Sequence, residues 1–444
     1  MIVLQKRTFR GGVHPEEYKE LTENKPIETA EIPDKVILPL SQNIGAPSKP
    51  IVKAGDHVKV GQKIADAAGF VSVPLHASIT GKVSNVGKHL HPNGHLAPAV
   101  VIEKEGADQD FNLKEVKGWE KLSKDKMIKA VNEAGLVGFG GATFPTHVKL
   151  SPPKDKPIDT VIINGAECEP YLTADHRLML ESPEDIVKGL QLIMKILGAE
   201  NGYIGVESNK KDAAKALEEA LPDDSDIKIT VVKVKYPQGG EKQLIKSMLN
   251  REVPPPPGLP MDVGVVVQNV GTTVAVYEAI RYKKPVIDRI VTVTGRGVKE
   301  PGNLKFRIGT MMADLVKQCG GLTDDVEKVV MGGPMMGISQ FDLTVPAIKG
   351  TSGIVIMPAE DVVSPEEQNC IKCGRCVQAC PMNLVPNMIA VLTDAGEFDK
   401  AEKLNAMTCI ECGSCSYACP AKIWLVQKIK YAKAEINARR KKAS

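Results

Sequence analysis

Cys370-Ile-Lys-Cys373-Gly-Arg-Cys376-Val-Gln-Ala-Cys380-Pro381 and, 39 residues on, Cys409-Ile-Glu-Cys412-Gly-Ser-Cys415-Ser-Tyr-Ala-Cys419-Pro420 decide how this chain is read. Eight of the ten cysteines fall in these two runs, whose identical spacing marks an internal duplication. Three thiolates on one tight loop reach three irons of a cubane, and a fourth just before a proline reaches across to a neighbouring cluster. One 4Fe–4S cluster is therefore expected on Cys370, Cys373, Cys376 and Cys419, and a second on Cys409, Cys412, Cys415 and Cys380. Zinc ribbons pair C-x-x-C units instead, and disulfides are disfavoured in a reducing compartment. Residues 360–436 are thus expected to form an α-helical two-cluster ferredoxin domain that passes single electrons, with helices over 387–392, 397–405 and 423–436.

Outward from the cysteines, 444 residues point to about three domains. With 43% hydrophobic and 25% charged residues, wholly disordered, collagen-like and coiled-coil classes are excluded. The best apolar stretch, 263–280, is broken by Gln268, Asn269 and Glu278, so no span is expected. The apolar start is too short for a signal peptide, which points to a chain kept in the cytosol. From residue 421 onward eight Lys/Arg face one acid, Glu435, a net +7 that leaves the preceding body at −4 within a total of +3. A nucleic-acid module would carry its basic stripe on the fold, so no nucleic-acid partner is expected. The basic tail, 437–444, reads as a docking element for an anionic surface or partner, or as a solvated end.

Residues 125–285 alternate strand and helix patterns, as a Rossmann-like α/β domain does. Continuous β-branched runs at 159–163, 203–206, 229–234 and 265–267 read as buried parallel strands, with helices at 183–197 and 211–221 between them. Ligands in such folds sit beyond the carboxyl ends of the strands. There the chain places Asn164-Gly-Ala-Glu167-Cys168-Glu169-Pro170, then Tyr236-Pro-Gln-Gly239-Gly240-Glu241, then Gln268-Asn269-Val-Gly-Thr272. Ahead of all three, a glycine loop (Gly138, Gly140, Gly141) leads through Phe144 and Pro145 to Lys149 and opens a helix. Glycines let backbone N–H groups approach a phosphate, and the helix start and lysine complement its charge. Asn and Gln suit the edge of a flavin or nicotinamide ring.

Residues 36–105 are built of short β runs and turns and resemble a biotinyl/lipoyl-type barrel-sandwich hybrid. Phe70 occupies the position of the modifiable lysine, so an unmodified, structural domain is expected. His89, His91 and His95 read as a polar hairpin tip rather than a metal site. Residues 286–355 read as a small mixed β unit, with strands at 290–294 and 329–331 and a helix after Gly309-Thr310. Cys319 reads as a buried small hydrophobe, and Cys168 as packing, since no resolving cysteine lies near in sequence.

Together the glycine loop and three post-strand segments resemble the flavin- and NADH-binding subunit of respiratory complex I, and 286–355 resembles that family's soluble-ligand-binding β-grasp. With Phe9-Arg-Gly11-Gly12-Val13-His-Pro15 in the N-terminal arm (1–35), the barrel and the duplicated cysteines, the order is similar to C subunits of the Rnf family of ferredoxin:NAD oxidoreductases. The resemblance implies FMN wrapped by Gly138, Gly140 and Gly141 and bound by Lys149. It implies Phe144 stacked on NADH, Asn164 on the flavin, and Glu167 and Glu169 beside it. Tyr236 and Gly239 match flavin contacts, Glu241 the acid at the nicotinamide, and Asn269 a pocket asparagine; Gly240, Gln268 and Thr272 belong to the same segments. Ala166 replaces an aspartate, Gly240 a glutamate and Gln268 an asparagine. No protein acid or base is expected to be essential to hydride transfer.

The implied function is hydride exchange between NAD(H) and FMN and one-electron exchange with two 4Fe–4S clusters. In the parent complex, ferredoxin oxidation is coupled to Na⁺ or H⁺ export by other subunits, among them integral-membrane flavoproteins and a ferredoxin-oxidising iron–sulfur subunit. The chain would then lie at the cytoplasmic face of the membrane. A microcompartment corrin reductase shares the flavin and cluster modules, and a flavin-free iron–sulfur relay is the non-enzymatic alternative.

Overall fold

The computed structural model describes residues 2–443 except 6, 224 and 363–365. At its centre is a parallel five-stranded sheet in the order Ile2–Leu4, Ile227–Val232, Asn201–Glu207, Thr160–Gly165, Val265–Asn269. The middle strands are Val/Ile-rich and buried because helices cover both faces. Pro183–Leu197 begins with proline in its first turn and stops at Gly198, which takes the left-handed conformation a side chain would resist. Asn164 and Asn269 are register partners on neighbouring strands, so two of the post-strand segments emerge side by side.

Two differences from expectation lie in the arm and the sheet it joins. Residues 1–35 do not form a separate unit: Ile2–Leu4 adds an edge strand to the α/β sheet, and Ile27–Thr29 adds one to the β-grasp sheet. Each is three residues long, at the lower limit of strand length and too short to leave a period in the sequence. The third expected strand also ends earlier, at Val232 rather than 234, and the chain reaches Tyr236 through an irregular segment.

The barrel-sandwich hybrid comprises a four-stranded sheet (Lys35–Pro39, Leu96–Lys104, Gly81–Leu90, His57–Val58) against three short strands. The carbonyl of Phe70, at the position of a carrier lysine, accepts from His147 Nε2 at 2.9 Å, and Thr143 O accepts from Ile44 N–H at 3.1 Å. The barrel therefore props the glycine loop and the turn of helix that follows it. His91 Nε2 lies 2.9 Å from Ser41 O, at the base of the hairpin tip that also carries His89 and His95. Gly353–Pro358, for which the sequence raises no expectation, is a central strand of the six-stranded β-grasp sheet, pairing with Asp288–Thr294 and Val326–Met331. Cys319 is buried in that domain's core.

The C-terminal domain is helical: Arg375–Ala379, Pro386–Asp394, Phe398–Lys403, Ser414–Tyr417 and Leu425–Ala443. Residues 363–365, near the expected start of this domain, and the tail's Ser444 lie outside the described residues. The basic tail continues the last helix instead of fraying. Arg439 pairs with Asp399 at 3.2 Å and Arg440 with Glu402, so part of its charge is neutralised within the domain. No described helix is long and apolar enough to cross a membrane.

Candidate functional site at the sheet's carboxyl edge

A cavity of about 830 Å³ opens beyond the carboxyl ends of the parallel strands. Its wall includes Gly138, Gly140, Phe144, Lys149, Asn164, Glu167, Glu169, Tyr236, Gly239, Gly240, Glu241, Gln268 and Asn269, thirteen of the fifteen residues expected there. Gly141 and Thr272 are not in the wall. Thr272 Oγ1 instead accepts the Phe139 N–H at 2.8 Å, pinning the glycine loop from behind. Gly141 has a φ of +102°, with open space where a Cβ would stand, so it shapes the loop without lining the cavity.

Several wall residues are held by the protein itself. Asn269 Oδ1 caps the helix Val270–Tyr282 by accepting from Gly271 and Thr272 N–H, and its Nδ2 donates to Asp175. Glu167 has a left-handed φ of 44° and turns its carboxylate onto the Asp175 and His176 N–H groups at the start of another helix. Asn164 Nδ2 donates to Gly239 O at 2.8 Å, tying two post-strand segments together. Lys149 Nζ pairs with Glu241 at 2.6 Å and donates to Val267 O at 3.1 Å.

Behind this wall lies a charged layer that sequence reasoning missed. Lys19, from the arm, donates to the carbonyls of Glu167, Glu169 and Leu172; Lys210 donates to Ala166 O and pairs with Glu207. Both lysines are buried, so each holds the loop 166–172 by interactions that solvent does not weaken. Arg289, pushed down to about 10 by burial, donates to Phe139 O and Lys349 O and lies 4.7 Å from the Phe139 ring centre. Lys19, Lys210, Glu207 and Arg289 belong to no motif; only the chain's path brings them together.

One side of the cavity is the second cysteine run. Ile410 and Cys412 line it, and Tyr236 OH donates to Cys412 O at 2.8 Å. Glu169 accepts from Met335 N–H at 3.0 Å beside Tyr236, and burial raises its carboxyl to about 7. The Phe9–Pro15 motif straps the same junction. Val13 and Tyr236 form a β-bridge, Gly12 N–H donates to Ala379 O, and a Cβ on Gly11 would stand 2.6 Å from Cys380 O. Cys168 Sγ accepts the Gly239 N–H at 3.2 Å, and burial raises its thiol, the opposite of an activated cysteine.

The ten cysteines are unbridged. Burial raises the thiols of Cys376, Cys380, Cys409, Cys412 and Cys415, and Cys380 is perturbed both by Cys412 of the other run and by Cys376 of its own. The crossed pairing of the two sets rests on the spacing.

Comparison with known proteins follows the same division of the chain. Residues 7–107 match the RnfC barrel sandwich hybrid domain, 131–278 the Nuo51 FMN-binding domain, 290–339 the SLBB domain and 369–423 the 4Fe-4S dicluster domain. The chain therefore carries an FMN-binding domain and a 4Fe–4S dicluster domain. It is 49% identical over 434 residues to the C subunit of the proton-translocating ferredoxin:NAD(+) oxidoreductase complex of Clostridium ljungdahlii, covering 97% of this chain and 94% of that one. It is also 49% identical over 438 residues to the Na(+)-translocating counterpart of Acetobacterium woodii, covering 98% and 99%. An NAD+-reducing [NiFe]-hydrogenase chain shares the fold, with a TM-score of 0.52 at 19% identity over 72% of this chain and 65% of that chain. The chain belongs to the C-subunit family of Rnf-type ion-translocating oxidoreductase complexes.

Proposed function

We propose that the chain is the NAD(H)-reactive electron-transfer subunit of an Rnf-type ferredoxin:NAD⁺ oxidoreductase, exchanging hydride at the cavity and single electrons at the two cysteine sets. The observation that carries this reading is the cavity wall itself, in which the glycine loop and Cys412 face one space. FMN bound there supplies the conversion between hydride and single electrons.

The residues fit such a group. Gln268 has a buried Nε2 without a partner, and no other atom comes closer than 3.7 Å to where a Cβ on Gly138 or Gly140 would stand. In this reading the glycine loop approaches the phosphate, and Lys149 exchanges part of its pairing with Glu241 for it. Gln268, Asn164 and Tyr236 orient the ring; Phe144 and Glu241 face the nicotinamide nucleotide. Asn269, Thr272 and Glu167 act by holding backbone in place. Cys370, Cys373, Cys376 and Cys419 hold an outer cluster, and Cys409, Cys412, Cys415 and Cys380 an inner one. The RnfC barrel domain and the near-full-length relatives favour this reading over a corrin reductase, and the FMN-domain match favours it over a flavin-free relay. The partners would be integral-membrane flavoproteins and a ferredoxin-oxidising iron–sulfur subunit, the position the cytoplasmic face of the membrane, and the exported ion Na⁺ or H⁺.

The test is an anaerobic spectrum of the purified holo-chain before and after NADH. Flavin bleaching followed by loss of iron–sulfur absorbance is expected. Bound FMN that stays oxidised under NADH would reject the reading.

A further inference from the structure

The cavity continues past its flavin wall. The helix Ala174–Glu181 lines it with Ala174, Asp175, Leu178 and Glu181, and the helix Val270–Tyr282 lines it with Gly271, Val274, Ala275 and Glu278. Both sets recur at three and four residues, so each helix turns one face along its length to the same space. At a rise of about 1.5 Å per residue, this arm of the cavity runs about 9 Å from Asp175 to Glu181. Strand Asp288–Thr294 closes it from the β-grasp side with Asp288, Arg289 and Ile290. Carboxylates stand at both ends, with apolar Leu178, Val274 and Ile290 between them. At the outer end buried Lys284 bonds Glu278 and Asp288 at 3.0 Å each, and Glu181 meets solvent while accepting the Ile27 N–H at 3.1 Å.

Asp175 stands at the inner end, where the arm meets the wall that holds Asn269. It accepts from Asn269 Nδ2 at 2.7 Å and makes no ion pair among the described residues. Four segments face it: Glu167 presents a second carboxylate, Asn269 an amide, and Arg289 and Lys210 buried cations. The two acids differ in what holds them. Glu167 accepts two backbone N–H groups, those of Asp175 and His176, which favours its charged form. Arg289 directs its N–H groups to the Phe139 and Lys349 carbonyls, and Lys210 binds Ala166 O and Glu207. Asp175 is therefore the member of the pair that gains and loses a proton. Burial first, and Glu167 second, raise its carboxyl to about 7. A group tuned to the surrounding pH passes protons in either direction.

We propose that this arm is the path by which protons pass between solvent and the flavin, with Asp175 as its inner carrier and the Glu278–Lys284–Asp288 group at its outer end. The proposal rests on the functional reading above, which sets the demand for it. NAD⁺, two electrons and one proton give NADH; the cysteine sets supply the electrons one at a time, and the proton comes from water. It is needed while the nicotinamide nucleotide covers the part of the cavity that carries Phe144 and Glu241. The arm meets solvent elsewhere, at Glu181, at the far end of its helix. Asp175 gives its proton as the electrons arrive and takes one back through water held in the arm, so the chain ends each cycle unchanged. In the reverse direction the proton leaves by the same groups. The hydride step itself still uses no protein acid.

The test follows protons separately from hydride. Full-length holo-chain in weakly buffered neutral solution is mixed with NADH in a stopped-flow instrument, with flavin absorbance and a pH-indicator dye recorded together. Wild-type protein should exchange protons with solvent as fast as its flavin bleaches. In Asp175→Asn, proton exchange should fall behind bleaching by about a hundredfold, and formate, a weak acid small enough to enter the arm, should restore it. Glu278→Gln, at the outer end, should delay proton exchange by a smaller factor with FMN content unchanged. Proton exchange that keeps pace with bleaching in either variant would overturn the route. So would a delay in Asp175→Asn that formate leaves untouched, since a merely structural role gives no such rescue. If NADH fails to bleach the wild-type flavin, the functional reading falls and the route with it. Normal bleaching with no delay in the variants removes the route alone.

Discussion

The two cysteine runs are near copies in sequence and opposites in setting. Both read C-x-x-C-x-x-C-x-x-x-C-P, yet Cys370 and Cys373 meet solvent while Cys412 lines the cavity and Cys415 is buried. The difference comes from what packs on each loop. The second run is covered by Met335 and Tyr236, both contributed by other parts of the chain. The first run is strapped by Gly11 and Gly12 at its end, Ala379–Cys380, while its middle, around Cys376, packs on its own domain's Ala390, Ile423 and Val426. Duplication thus produced two copies of one cysteine spacing, and tertiary contacts left the second against the cavity and the start of the first at the surface.

The largest expected effects break the equivalence outright. Cys412→Ala should halve the iron content, from about eight to about four per chain. It should leave flavin bleaching by NADH intact while abolishing the NADH-induced iron–sulfur EPR signal. Cys373→Ala should lose the same amount of iron but keep an NADH-reducible inner cluster. Identical spectra for the two variants would remove the distinction between inner and outer.

Next in size is Lys19→Met, which leaves the Glu167, Glu169 and Leu172 carbonyls buried without their donor. A loss of about 3 kcal/mol in urea unfolding is expected, with FMN retention reduced and the C-terminal cysteine loops unaffected.

Lys349 provides a pH signature remote from both runs. It is fully buried, donates to Gly135 O at 2.7 Å and Pro74 O at 3.2 Å, and burial lowers it to about 7. Between that value and the ordinary lysine value of 10.5 the unfolded chain binds more protons than the folded one, so stability rises with pH across this window. Wild-type protein should therefore gain at most about 1.4 kcal/mol per pH unit from about pH 7 to about pH 9 relative to Lys349→Met. Parallel pH profiles for the two would contradict it.

The smallest effect sharpens the comparison at its seam. Tyr236→Phe removes the hydrogen bond to Cys412 O and should cost about 1 kcal/mol. Electron transfer from flavin to the inner cluster, followed by stopped-flow, should slow measurably.

Most of the domain order is legible in the sequence. Helix Pro183–Leu197 appears at its expected bounds because a proline start and a glycine stop are local signals. The strands Thr160–Gly165 and Val265–Asn269 appear within two residues of expectation because continuous β-branched runs are equally local. Of the cavity wall, the residues at strand ends and in the glycine loop were readable, since fold topology puts ligands there. Thr272 and Glu167 read as ligand groups, although their hydrogen bonds serve the backbone. A Thr after a strand has the same one-letter appearance whether it faces a cavity or props a loop, and Glu167 does both kinds of work, lining the cavity while its carboxylate holds a helix start. The arm's two strands, the tie from Thr143 to Ile44 and the lysines at 19, 210 and 349 carried no readable signal, because each acts across more than forty residues of intervening chain.

The sequence by itself determined the ligand chemistry and its duplication, because cubane ligation depends on spacing within a dozen residues. It also determined the class of each domain, because hydrophobic period and turn residues are local. Only the tertiary structure decided which cysteine set meets the cavity and which meets solvent. It alone placed buried cations behind the wall and bound the arm into two sheets. Burial and long-range pairing are properties of how distant segments pack, and no local pattern encodes them.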